Sequence, residues 1–383
     1  MIFRILEDQY AEKIRQREDA DRRSMQLALT LGRRGLGRTW PNPAVGAVVV
    51  KDGIIVGRGW TQAGGRPHAE VEALRRAGGA ARGATLYVTL EPCSHVGKSP
   101  PCADAVVAAG ISRVVSAIED PNPLVAGQGY AKLRAAGITV DTGSCVQEAA
   151  HDHAGHFRRI RDKRPHVIVK LAVSSDDRIA APGHIPVAIT GEAARTRVHL
   201  LRAQCDAILV GIGTVLSDDP LLTCRLPGME ARSPVRVVLD SALRIGPESR
   251  LMHSARQTPL WLIASETAEA ASTARLGAAG AQVIRLPPCS DGPGLDLPAA
   301  LHALSERGIT RLLVEGGSRI AASFVAADLV DEFWLLRGAG AIGQGGVAAL
   351  DAMRLTAITQ SPAFKLRASE TLDKDMLTIY ERS

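Results

Sequence analysis

His68-Ala69-Glu70, followed by Pro92-Cys93 and then Cys102, are the residues of this chain best equipped for chemistry. They offer one imidazole, two thiols and a carboxylate. A zinc ion that activates water needs three protein ligands, a fourth position kept for the water, and a base that is not itself a ligand. His68, Cys93 and Cys102 supply the ligands, and Glu70 supplies the base. A structural zinc clip or unrelated burial would account for a lone cysteine pair. It leaves the His-x-Glu and the proline-flanked cysteines unexplained.

The surrounding sequence says how these residues are positioned. Pro67 follows the turn Gly64-Gly65 and opens a helical pattern through Leu74, which places His68 and Glu70 in a first turn. The apolar run Thr85 to Leu90 reads as a buried strand. Pro92 ends it, so Cys93 lies in the loop at its C-terminal end. Cys102 opens a helix through Ala109, where the helix dipole favours the thiolate that a metal requires.

The order His-x-Glu, Pro-Cys, Cys is that of zinc deaminases acting on cytosine- and adenine-like rings, in which the glutamate moves protons between water, ring nitrogen and leaving amine. The generic motif is Pro-Cys-x-x-Cys, whereas here eight residues, Ser94 to Pro101, separate the cysteines. The string from Glu91 to Cys102, with Trp40-Pro41-Asn42-Pro43-Ala44-Val45-Gly46, Lys51-Asp52-Gly53 and Asp120-Pro121-Asn122-Pro123, resembles the deaminase half of the bifunctional riboflavin-biosynthesis deaminase–reductases. Leu200-Leu201-Arg202-Ala203 and Thr214 through Arg225 resemble the reductase half of the same family.

The resemblance implies two activities. One is zinc-dependent hydrolytic deamination of 2,5-diamino-6-(5-phosphoribosylamino)pyrimidin-4(3H)-one. The other is NADPH-dependent reduction of the ribosyl group to ribityl. It implies a cytidine-deaminase-like three-layer α/β/α domain and a dihydrofolate-reductase-like α/β domain. Asn42 and Lys98 would hold substrate in the first. In the second, Ala172, Thr214, Asp218, Gly317 and Ser318 would contact NADPH, and Lys170, Arg202, Leu222, Arg225 and Glu315 the phosphorylated substrate. A guanidinium fork suits phosphate, which favours the arginines in that role.

Three positions depart from the family pattern. Ser174-Ser175-Asp176-Asp177 stands where Ser-Leu-Asp-Gly is usual. Pro186-Val187-Ala188-Ile189-Thr190 replaces Ser-x-Trp-Ile-Thr, and Thr61 replaces a common histidine. The first two fall on the expected cofactor and substrate wall, so an active deaminase joined to an inactive or retargeted reductase-like domain is the alternative.

Strands alternate with helices in both halves, as in sheets covered by helices on both faces. The expected domains are an N-terminal extension over 1–20, a deaminase over 21–145, a linker helix over 146–164 and a reductase over 165–383. His151, His153 and His156 do not share one helical face, so the linker is read as bland rather than metal-binding. The Gly-rich loops at Gly211–Thr214 and Gly316–Ser318 suit phosphate at a helix start but lack the Rossmann fingerprint.

Composition narrows the partners. Net charge is +6 and pI about 9.1, which suits anionic small molecules as readily as nucleic acid. Aromatic residues are only 3%, too few for base-stacking platforms, so no nucleic-acid partner is expected. Of six cysteines two are claimed by zinc and four lack framework spacing, which points to a reducing, cytoplasmic setting. No apolar stretch is long enough for a membrane span and no signal-peptide core is evident, so no membrane partner is expected. A homo-oligomer is expected.

Overall fold

The computed structural model describes residues 2–97, 100–289 and 294–383. The chain divides into two compact units, Met1–Asp162 and Lys163–Ser383.

The first unit is built on strands β1 (Gly46–Lys51), β2 (Ile54–Trp60), β3 (Thr85–Val88), β4 (Arg113–Ser116) and β5 (Thr139–Thr142), in the order β2-β1-β3-β4-β5. β1 pairs antiparallel with β2 and β3, while β3, β4 and β5 run parallel. Asp52 and Gly53 both take positive φ, 51° and 77°, the turn geometry that Asp-Gly favours in a tight hairpin. The pleat sends alternate side chains to opposite faces. Ala47, Val49, Leu86 and Val88 join a core with Ala73, Ala103 and Val106 from the helices Ala69–Ala77 and Cys102–Ala108. Val48, Tyr87 and Val115 face Met25, Ala28 and Leu29 of the helix Ile2–Gly32. The result is three layers. Because β3 and β4 are parallel, the loops carrying Cys93 and Asp120 leave the same edge of the sheet.

Two expected boundaries change. The helix Ile2–Gly32 runs without a break across positions 20 and 21. Its Asp21 carboxylate accepts two hydrogen bonds from Arg113, at 2.8 and 2.6 Å, and one from the Tyr87 hydroxyl at 2.7 Å. The 146–164 segment is not one linker helix. It forms helices Val146–Asp152 and Ala154–Arg161, both within the first unit, where Ala149 and Phe157 are buried in its cores.

The second unit has a nine-stranded sheet made of β6 (His166–Val173), β8 (Ala207–Gly211), β9 (Val235–Leu239), β10 (Leu260–Ser265), β11 (Gln282–Leu286), β12 (Arg311–Val314), β13 (Glu332–Arg337), β15 (Phe364–Leu372) and β16 (Asp375–Arg382). The order is β11-β10-β9-β8-β12-β6-β13-β16-β15. It is parallel from β11 through β13 and antiparallel at β16 and β15. β8 and β9 are buried along their whole length, as expected of central parallel strands covered on both faces. A separate ribbon pairs β7 (Arg178–Ala180) with β14 (Val347–Ala348). Among the described residues no helix is long and apolar enough to cross a membrane.

Candidate active sites

His68 is not inside the first helical turn. It precedes the helix Ala69–Ala77 as its N-cap residue, with extended backbone (φ −71°, ψ 161°), and Glu70 follows in the first turn. The placement depends on β2. A Cβ on Gly57 or Gly59 would come within 2.2 Å of the Ala73 or Ala69 carbonyl oxygen respectively. Only glycine lets this helix lie so close to the strand.

His68 Nδ1 stands 3.3 Å from Cys102 Sγ and 3.7 Å from Cys93 Sγ, and the three donor atoms lie within 4.8 Å of one another. A nitrogen and a sulfur bound to one tetrahedral zinc, at about 2.0 and 2.3 Å, stand roughly 3.5 Å apart. The donor set therefore fits that ion in both chemistry and spacing. The Cys102 backbone N–H donates to Cys93 Sγ at 3.3 Å. The Cys93 thiol is pushed down to about 4, first by its hydrogen bond with Cys102 and then, against burial, by His68. Cys102 is pushed up by the same shared hydrogen bond and by burial. One thiolate is thus favoured by the protein, and a bound metal ion would favour the second. Burial pushes the Glu70 carboxyl up to about 7, opposed by His68 and reinforced by Cys93.

His68, Glu70 and Cys93 line a cavity of about 180 Å³, and Cys102 is buried beside them. Asn42 reaches it and donates through its side-chain nitrogen to the Gly65 carbonyl at 2.8 Å. Lys98 lies outside the described residues. Thr61 is buried on the wall, where its hydroxyl accepts from the Val45 N–H at 3.0 Å. Arg66, Asp120, Asn122, His156 and Arg159 also line the cavity, and the sequence reading gave none of them a role. Asp120 and Asn122 stood in a quoted motif, and that was the available signal. His156 comes from the segment read as a bland linker. Behind Pro92, the Glu91 carboxylate accepts from the N–H groups of Gly127 (3.0 Å) and Gly129 (2.8 Å), which ties the Cys93 loop to the start of the helix Gln128–Ala135.

The second unit holds a cavity of about 480 Å³. Eight residues expected there line it: Lys170, Ala172, Arg202, Thr214, Asp218, Leu222, Glu315 and Gly317. Thr214 and Asp218 sit on the helix Ile212–Asp218 after β8, and Glu315 and Gly317 follow β12. The Gly317 N–H donates to Thr214 Oγ1 at 3.2 Å, joining the two loops. Ser318 is buried at the start of the helix Ser318–Ala326, and Arg225 is exposed; neither lines the cavity. Leu222 is buried with φ 55°, a left-handed backbone uncommon for a bulky residue.

The free phosphate fork expected of Arg202 needs correcting. Its guanidinium grips both oxygens of Glu315, at 2.7 and 2.9 Å, with Lys170 3.7 Å from the same carboxylate. Burial alone would raise Glu315, but Arg202 and Lys170 outweigh it and hold the carboxyl down at about 2. The Arg225 pKa is lowered first by partial burial and then by the positive charges of Arg202 and Arg250. Asp177 does not stand on the cavity wall. It is exposed, has φ 62°, and pairs with Arg337 at 2.6 Å. Pro186 and Ala188 do line the cavity.

Comparison with known proteins adds to this geometry. Residues 18–118 match the cytidine and deoxycytidylate deaminase zinc-binding region, and residues 165–378 match the RibD C-terminal domain. The riboflavin biosynthesis protein RibD of Aquifex aeolicus is 40% identical over 364 residues, covering 95% of this chain and 99% of that one. RibD of Escherichia coli K12 is 39% identical over 363 residues, covering 92% and 96%. Among solved structures, Acinetobacter baumannii RibD superposes with a TM-score of 0.84 at 35% identity, covering 96% of this chain and 99% of that one. A diaminohydroxyphosphoribosylaminopyrimidine deaminase/5-amino-6-(5-phosphoribosylamino)uracil reductase from Thermotoga maritima gives a TM-score of 0.83 at 35% identity, covering 96% and 100%.

Proposed function

The chain belongs to the RibD family of riboflavin-biosynthesis deaminase–reductases, and from that premise we propose how its residues divide the two reactions. It is a bifunctional enzyme, a zinc-dependent deaminase in the first unit and an NADPH-dependent reductase in the second. The alternative of a retargeted second half is not favoured, because the reductase family matches almost all of that unit.

In the deaminase, His68, Cys93 and Cys102 would hold the zinc ion. When bound, zinc supplies the Lewis acidity that makes water a nucleophile near neutral pH. Glu70, a buried carboxyl that is not a ligand, passes one proton of the attacking water to the ring nitrogen, then takes the second from the added hydroxyl and gives it to the amine, which leaves as ammonia. Asn42 and Lys98 hold the diaminopyrimidine phosphate. In the reductase, Ala172, Thr214, Asp218, Gly317 and Ser318 hold NADPH, which supplies hydride. Lys170, Leu222, Arg225 and Glu315 hold the substrate, and Arg202 fixes the Glu315 carboxylate. The hydride goes to C1 of the ribosyl group, whose ring opens to ribityl. The substrate is a small phosphorylated pyrimidine. The setting is the cytoplasm, the protein is a homo-oligomer, and neither nucleic acid nor membrane is a partner.

The observation that carries this reading is the convergence of three metal donors, two of which share a cavity with the buried, non-ligating Glu70. In Glu70→Gln, ammonia release falls by about 10²–10⁴-fold while zinc content stays at wild type. Full turnover by that variant would remove Glu70 from the mechanism.

A further inference from the structure

We propose that His156 is a positioning residue of the deaminase site, acting through Asp120. The proposal rests on the deaminase reading above.

His156 belongs to the helix Ala154–Arg161, in a stretch whose composition suggests a mere connector. Its side chain is 8% exposed and lines the same cavity as His68, Glu70 and Asn42. Its Nε2 lies 3.0 Å from Asp120 Oδ1, and the Asp120 side chain is 9% exposed. The same carboxylate oxygen accepts the Asn122 N–H at 2.9 Å. The carboxylate is therefore clamped between its own loop and the helix from the connector.

Stability alone does not explain a histidine here. Its other nitrogen, Nδ1, is buried with no hydrogen-bond partner. An unmatched buried polar atom is costly, and a shape-matched apolar side chain would avoid that cost. What the imidazole adds is the Nε2–H that orients Asp120. An ionised carboxylate only accepts hydrogen bonds. Asp120 lines the cavity, so it suits the N–H and O–H groups of an aminopyrimidine bearing a ribose. Asp120 is held below the usual carboxylate range, where His156 and Asn122 outweigh the effect of burial. Asn122, two residues after Asp120, and Arg159, three after His156, also line the cavity, so loss of the clamp would loosen a wall of the site.

The test uses the full-length, zinc-loaded enzyme, with steady-state ammonia release from the diaminopyrimidine phosphate. In His156→Leu, KM is expected to rise about tenfold with kcat within about threefold. His156→Gln, whose amide nitrogen reaches the place of Nε2, is expected to recover most of that loss. In an Asp120→Asn background, His156→Leu is expected to add less than a further twofold. Zinc content, and NADPH oxidation with the deaminated substrate, should match wild type in each variant and serve as controls for folding. Unchanged KM in His156→Leu would overturn the proposal. So would a folded His156→Gln as impaired as His156→Leu, or an undiminished effect on top of Asp120→Asn. A wild-type enzyme that releases no ammonia would instead refute the deaminase reading itself.

Discussion

Glu70 and Glu315 are both enclosed carboxyls, and their surroundings drive them in opposite directions. Glu70, with burial dominant and the Cys93 thiolate nearby, is pushed up to about 7. Glu315, between Arg202 and Lys170, is held at about 2 despite burial. The first can exchange a proton at neutral pH, and the second is a fixed negative charge. The sign of the consequence for Glu315 is definite. A carboxyl depressed in the folded state stabilises it above the unfolded pKa, and that contribution disappears as pH falls through the folded value. Between about pH 4.5 and 2, wild type should lose on the order of 3 kcal/mol of stability that Glu315→Gln does not lose in that window. Urea midpoints measured against pH would show it; parallel acid limbs for the two proteins would contradict it. Asp177 makes the opposite case, a departure from the family pattern with little consequence. It is exposed, off the cavity wall, at a backbone angle glycine would accept, and its Arg337 partner is also partly exposed. Asp177→Gly should shift stability by no more than about 1 kcal/mol and leave KM for NADPH within about twofold. A large KM change would put Asp177 back on the cofactor wall.

At the scale of elements, the deaminase site is set by how closely one helix rests on one strand. Gly59→Ala would drive a Cβ to 2.2 Å from the Ala69 carbonyl, and no flexible side chain is there to yield. The first unit should lose at least about 2 kcal/mol, and zinc affinity should fall because His68 and Glu70 ride on that helix. Unchanged thermal unfolding and zinc content would show that the helix can shift freely. The same scale shows what the sequence could reveal. β3 was readable from its first residue, because the apolar run that opens at Thr85 has clear ends. β15 was not: Phe364-Lys365-Leu366-Arg367-Ala368-Ser369 does alternate, but this edge strand is largely exposed on both faces, so no buried apolar run marks it. The zinc ligands and Glu70 were legible because metal chemistry demands those residue types in that order. His156 was not, because its partner Asp120 lies 36 positions away and helical periodicity carries no information about that contact. Likewise, nothing in the spacing of Arg202 and Glu315 announced that they grip each other.

In the whole molecule each compact unit has its own reaction, its own cofactor and its own cavity. Removing zinc with a chelator should therefore abolish ammonia release and leave NADPH oxidation with the deaminated substrate within about twofold. Joint loss of both would contradict the division. The most direct test of the central claim is a single assay on the zinc-loaded enzyme, supplied with the diaminopyrimidine phosphate and NADPH, that follows ammonia release and NADPH oxidation separately. Both signals are expected, ammonia first and NADPH oxidation following from its product. Ammonia without NADPH oxidation would contradict the assignment of the second unit, and no ammonia at all would contradict that of the first.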